Sequence, residues 1–129
     1  MIGHVAIAQV PLSVMSYNIR YDNPDDGIHS WANREMHVGD LLDYYHADII
    51  GLQEALSNQY DGLKEILISY NSYGLGREDG DVDGEFCPIF WNRSRFDLEG
   101  KGTLWLNESG KIGKKGWDAA TTRIASWVK

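Results

Sequence analysis

DIIGLQE, residues 48–54, is an almost unbroken apolar run that ends in an amide and a carboxylate. Its length suits a strand rather than a helix, and apolar side chains at successive positions suit a strand covered on both faces. Upstream, Leu12 to Ile19 (LSVMSYNI) reads as another strand, rich in β-formers with some alternation, and Asn18 lies near its end. Between the two, Asn23-Pro24-Asp25-Asp26-Gly27 is a loop by turn chemistry, and Ser30 can cap a helix. Trp31, Val38, Leu41, Leu42 and Tyr45 then fall at helical spacing as one apolar stripe. Strand, helix, strand is the crossover unit of an α/β fold.

Downstream of Glu54, residues Ser57 to Leu67 predict a second helix with Tyr60, Leu63 and Leu67 on one side. Gly62 weakens that helix by about 1 kcal/mol relative to Ala. Tyr70 to Gly74 reads as a short strand. Arg77 to Gly84 (REDGDVDG) is an acidic, glycine-punctuated loop. Phe86 to Asn92 reads as a strand, where Pro88 argues for an edge or a bulge. Phe96 to Leu106 predicts a further strand with a glycine kink, Asn107 to Gly116 a polar lysine-bearing loop, and Thr121 to Val128 one more strand. The order β-α-β-α followed by strands places the chain in the α/β class.

The 129 residues suffice for one domain, and 43% hydrophobic content can build a core. No run of eighteen apolar residues occurs, so no membrane-spanning helix is expected. The net charge of −7 is unevenly spread. Residues 1–99 hold six Lys/Arg against seventeen Asp/Glu, a balance of −11; residues 100–129 hold six against two, a balance of +4. An acidic surface repels a phosphate backbone, which argues against salt-driven, non-specific nucleic-acid binding. The single cysteine, Cys87, excludes an intramolecular disulfide framework. Ala6-Ile7-Ala8 before Gln9 has the small-residue pattern of a signal-peptidase site, but no basic residue precedes it. Residues 1–11 therefore read either as the remnant of a signal peptide, implying a secreted or periplasmic protein, or as the approach to a first strand in a cytoplasmic one.

Asn18 and Glu54 both close strands joined by a helical crossover. Ligand sites of open α/β sheets lie at the carboxyl ends of strands. A carboxylate and an amide oxygen there are hard ligands suited to Mg²⁺ or Mn²⁺. A turn asparagine and a solvent-facing glutamate fit the same spacing. Glu85 either orients a ligand or is one more loop acid. Asp79, Asp81 and Asp83 alternate like the start of a calcium loop, but the glycine and terminal glutamate spacings do not match one. Arg77 and Arg123 suit bidentate phosphate recognition, or structural ion pairs. Trp91, Trp105 and Trp117 offer an aromatic binding face, although core or cleft positions are the commoner use of such residues.

The segments VMSYNIRYDNPDDGIHSWANR, ADIIGLQEAL, YGLGREDGDVDGEFCPIFW and GTLWLNESGKIGKKGWDAATTRIASW occur in this order. Together, over residues 12–128, they resemble the endonuclease/exonuclease/phosphatase superfamily of DNase-like metal-dependent phosphoesterases. The resemblance implies that residues 12–129 are the N-terminal half of a four-layer α/β sandwich, a mixed sheet with flanking helices. It implies Mg²⁺- or Mn²⁺-assisted hydrolysis of a phosphoester, by a phosphodiesterase, nuclease or phosphatase. The substrate would be a nucleic acid, nucleotide, phosphoinositide or sugar phosphate. Glu54 matches the family's metal-binding glutamate, and Asn18 the asparagine beside metal and phosphate. Glu85 matches the glutamate that supports the catalytic histidine, and Arg123 an arginine at the active-site mouth. Arg77, Trp117 and Asp118 would line or shape the substrate cleft. The family's catalytic histidine, Asp-x-Asn segment and terminal Asp-His pair have no counterpart here: His4, His29, His37 and His46 match none of them. The alternative is thus a catalytically inactive half that needs a complementary C-terminal half, or that self-associates through an uncovered sheet face.

Overall fold

The computed structural model describes residues 10–129. Ala6-Ile7-Ala8 and His4 lie outside them. Strand β1 (Val14–Asn18) leads through a 3₁₀ segment (Pro24–His29) into helix α1 (Trp31–Tyr45), then strand β2 (Ile49–Gln53) and helix α2 (Ser57–Ile66). Strands β3 (Tyr70–Tyr73), β4 (Ile89–Asn92), β5 (Lys101–Trp105) and β6 (Ile124–Val128) follow. The first four strands form one sheet in the order β1-β2-β4-β3; β5 and β6 pair separately. β1 and β2 run parallel, with Met15 opposite Ile50 and Asn18 opposite Gln53, whereas β4 is antiparallel to both its neighbours. The fold is therefore α/β with a mixed sheet and two helices.

Alternation along the strands sorts the two faces. Ile50, Leu52 and Phe90 point towards the helices and join Val38, Leu42 and Leu63 in one buried cluster. Each such side chain contributes about 1.5–3 kcal/mol through burial. The opposite face carries Ile49 and Trp91, which line a second cleft with Val128. On that face the Tyr73 hydroxyl also accepts a hydrogen bond from Thr103 Oγ1 at 3.2 Å, so the β5–β6 hairpin covers the β3–β4 side. A glycine lets the helices approach: a Cβ at Gly39 of α1 would lie 2.9 Å from two side-chain atoms of Ile66 of α2, whereas at Gly62 it would meet only the mobile carboxylate end of Glu35. No helix among the described residues is long and apolar enough to cross a membrane.

Four expectations need correction. Leu41 and Tyr45 are exposed, and the buried stripe of α1 is Trp31, Val38, Gly39 and Leu42. Leu41 lies about 100° around the helix from Leu42, and Tyr45 occupies the last turn before the left-handed stop at His46. Ser30 is the N-cap residue, but its side chain makes no capping hydrogen bond. β4 starts only at Ile89 and is an interior strand. Pro88 sits just before it and uses its carbonyl alone, accepting the Leu52 N–H at 2.9 Å, so the missing donor costs nothing. Finally, β5 begins at Lys101, not Phe96. Glu99 and Gly100 instead donate to the Lys129 carbonyl, and Gly100 and Gly102 make room for the Trp127 ring.

Candidate active site

The carboxyl ends of β1 and β2 open into a cleft of about 200 Å³, lined among others by Asn18, Glu54, Arg77, Glu85, Cys87 and Arg123. The fold converges these residues from four places. Asn18 ends β1. Glu54 follows β2 directly. Ala55 pairs antiparallel with Phe86, which carries the flanking Glu85 and Cys87 to the wall of the same cleft. Thr122 and Arg123 lead into β6.

Asn18 and Glu54 touch. The Asn18 Nδ2 donates to Glu54 Oε1 at 2.8 Å, and the Asn18 Oδ1 accepts the Arg20 N–H at 2.9 Å. The amide therefore orients the carboxylate and leaves Glu54 Oε2 without a protein partner among the described residues. Glu54 (φ 61°) and Arg20 (φ 57°) both occupy the left-handed region. Non-glycine residues there cost roughly 1–3 kcal/mol and cluster at functional sites. The loop after β1 is pinned from below by Gln59, which is fully buried. Its Oε1 accepts the N–H groups of Asp22 and Leu56, and its Nε2 donates to the Arg20 carbonyl. Asp26 accepts two hydrogen bonds from Arg20, each 2.6 Å, and that guanidinium holds its carboxyl below the usual range.

Arg77 and Glu85 also pair, Nη1 to Oε2 at 2.8 Å. Arg123 is exposed, lines the cleft and makes no ion pair among the described residues. Burial pushes the Cys87 thiol up, with Glu85 adding to the effect, so it stays protonated and is a poor nucleophile. Trp117 and Asp118 are not among the cleft-lining residues; Trp117 is 71% exposed on the turn before β6. Of the described histidines, His29, His37 and His46, none lines the cleft. The tryptophans do not form one face, because Trp91 and Trp105 are buried. Gln59, Glu78 and Thr122 are the supporting residues that the sequence did not reveal. For Gln59, its place at the third position of α2 was the available signal.

Neither a protein-family model nor a curated protein matches the chain. Solved structures do. A Bacteroides vulgatus endonuclease/exonuclease/phosphatase superposes with TM-score 0.85 at 38% identity, over 88% of this chain and 44% of that one. A mannosyl-6-phosphatase from Bacteroides thetaiotaomicron gives TM-score 0.87 at 38% identity, over 92% of this chain and 45% of its own. The chain belongs to the endonuclease/exonuclease/phosphatase family. A more distant D. rerio member, TDP2, solved with a single-strand DNA product, gives TM-score 0.60 at 26% identity, over 73% of this chain and 34% of that one. The chain thus spans a little under half the length of these two Bacteroides proteins.

For an endonuclease/exonuclease/phosphatase chain the donor set can be tested against a divalent cation. Among the described residues no group of three His, Cys, Asp or Glu side chains converges. The described residues therefore offer no cage made wholly of these protein donors, as structural zinc requires. Mg²⁺ is different: it keeps several waters and takes one or two carboxylates plus substrate phosphate. A cleft-facing glutamate with one free oxygen, held by an asparagine, fits that demand.

Proposed function

We propose that this chain carries the metal- and phosphate-binding part of a phosphoester hydrolase. The observation that supports it most is the Asn18–Glu54 pair at the strand ends, sharing one cleft with Glu85 and Arg123. Glu54 would hold Mg²⁺ or Mn²⁺ through Oε2, with Asn18 fixing the carboxylate. The cation, when bound, supplies a Lewis acid that polarises a phosphoryl oxygen and offsets transition-state charge. Arg123 offers a free planar guanidinium to the phosphoryl oxygens. Glu85 would orient the group that takes the proton of the attacking water. Trp117 and Asp118, outside the cleft, would contact only the part of a substrate that projects from it.

Among substrates, a small phosphate ester such as a sugar phosphate is favoured over nucleic acid. The acidic balance of residues 1–99 opposes a polyanion, and a cleft of about 200 Å³ accommodates a phosphate with little more than a sugar ring. The mannosyl-6-phosphatase at 38% identity points the same way. A second reading rests on the absence of a histidine from the cleft among the described residues: the chain binds metal and phosphate but turns over only with a complementary C-terminal half.

The test compares the chain with Glu54→Ala. Mn²⁺ binding is followed by its paramagnetic effect on water relaxation, and hydrolysis of p-nitrophenyl phosphate, mannose 6-phosphate and a short oligonucleotide is followed with Mg²⁺. Metal binding and monoester hydrolysis that both require Glu54 support the enzyme reading. Glu54-dependent binding without turnover supports the half-site reading. Metal binding that ignores Glu54 removes both.

A further inference from the structure

We infer that Arg77 is a positioning residue and not a phosphate contact: with Glu78 and Thr122 it forms a polar relay that fixes Glu85. The role of Glu85 in hydrolysis rests on the function proposed above; the relay itself does not.

Arg77 is only 15% exposed at its side chain, and two of its guanidinium nitrogens, Nη1 and Nε, are each held by a carboxylate. Nη1 donates to Glu85 Oε2 at 2.8 Å and Nε to Glu78 Oε1 at 3.1 Å. Its backbone N–H donates to the Glu85 carbonyl at 3.2 Å, and its own carbonyl accepts from Trp105 Nε1 at 2.7 Å. One guanidinium therefore lies between two carboxylates. A phosphate approaching it meets a cation already matched, within a triad that is negative overall. Arg123, exposed and free of carboxylates, has the opposite character.

The relay continues through Glu78. Its second oxygen, Oε2, accepts from Thr122 Oγ1 at 3.1 Å, and Thr122 is 3% exposed and directly precedes Arg123. Thr122, Glu78, Arg77 and Glu85 thus connect the entrance of β6 to the entrance of β4 by side chains alone. The loop that presents Arg77 is self-held. Asp79 accepts the N–H groups of Asp81, Val82 and Asp83, and the Glu78 N–H donates to the Asp83 carbonyl at 3.1 Å. Gly76 packs so closely on this loop that a Cβ would meet Asp83 O at 2.3 Å. The acidic run REDGDVDG thereby acquires a purpose that its charge did not suggest: it is a frame for one arginine.

The experiment uses the full 129-residue chain, labelled with ¹⁵N, and reads the arginine Nε–H resonances with and without inorganic phosphate. Glu78→Gln, near-isosteric and not among the cleft-lining residues, is the remote variant, Thr122→Val breaks the same chain at the cleft wall, and retained backbone shift dispersion shows that each has folded. The expected result is that phosphate moves the Arg123 resonance and leaves that of Arg77, while Glu78→Gln moves Arg77. Phosphate moving Arg77 directly, with Glu78→Gln without effect, overturns the relay. In p-nitrophenyl phosphate hydrolysis, Arg77→Lys and Glu78→Gln should lower kcat by roughly 100-fold, as a misplaced reacting group does, with KM changed by less than about twofold. A raised KM in Arg77→Lys with Glu78→Gln normal would make Arg77 a substrate contact and overturn the inference. Absence of turnover in the unsubstituted chain counts against the proposed activity, and the resonance arms still decide the relay.

Discussion

Glu54 shows how a single residue can trade stability for a site. β2 ends at Gln53, and between the Gly51–Ile89 and Ala55–Phe86 pairs its strand carries one more residue than its partner, so the ladder must accommodate an extra residue there. Within that stretch the left-handed backbone falls on Glu54, at φ 61°. Its only side-chain bond among the described residues is the one from Asn18. Glycine adopts that backbone without steric penalty, whereas an L-residue pays about 1–2 kcal/mol. Glu54→Gly should therefore be more stable than Glu54→Ala by about 1 kcal/mol in urea unfolding, even though glycine costs more chain entropy. Both variants should lose Mn²⁺ binding. If alanine proves the more stable, the backbone at this position is not under the strain that its φ implies. The nearness of Asn18 and Glu54 was legible in advance, because topology sends both strand ends to one place, but the hydrogen bond between them was not. Nor was the pairing of Arg77 with Glu85. It depends on a loop closed by backbone hydrogen bonds from Arg77 and Glu78, and no spacing rule encodes those.

At the scale of elements, Asp48 locks the strands at the end of the sheet away from the cleft. It is buried, accepts the backbone N–H of Ser13 at 2.8 Å and its hydroxyl at 2.9 Å, and pairs with Arg95 beyond β4. The start of β1, the start of β2 and the turn after β4 are thus tied to one carboxylate. The Ser13 N–H, then its hydroxyl and Arg95, hold that carboxyl below the ordinary aspartate range. Because its folded pKa is depressed, the stabilisation is present above the unfolded pKa of about 4 and is lost as pH falls through the folded value. Urea midpoints should fall as pH is lowered from 5 towards 2, and Asp48→Asn should be less stable at pH 7 with a shallower acid decline. An unchanged acid slope in Asp48→Asn would assign the decline to other carboxylates; Asp26 and Asp79 are also depressed, by Arg20 and by backbone N–H groups respectively. The apolar face of α2 was readable because burial selects Tyr60, Leu63 and Leu67 together, whereas that of α1 was readable only in part, through Trp31, Val38 and Leu42. Residues 96–100 misled because their apolar character serves the second cleft, through Phe96 and Leu98, rather than a strand pairing.

For the whole molecule, the unequal cover of the sheet decides its behaviour in solution. The helices bury the centre of one face and leave Met15 and Tyr17 at its β1 edge only partly covered, while the β5–β6 hairpin packs on the β3–β4 side of the other. Among the described residues β1 is an edge strand with apolar side chains uncovered beside it: Val14 is 65% exposed and Leu12, just before it, 57%. An open edge beside exposed apolar side chains favours pairing with another copy. The net charge of −7 opposes such contact. These two forces have different ranges. Charge repulsion is screened beyond about 8 Å at physiological salt, whereas strand pairing and apolar contact act at touching distance and survive it. Self-association should therefore grow with both protein concentration and salt in sedimentation velocity runs. Val14→Lys, which puts a charge on the open edge, should shift the chain towards monomer at every salt concentration. If the unsubstituted chain stays monomeric at high salt and high concentration, the open face is too small or too polar to associate, and Val14→Lys will have nothing to reverse.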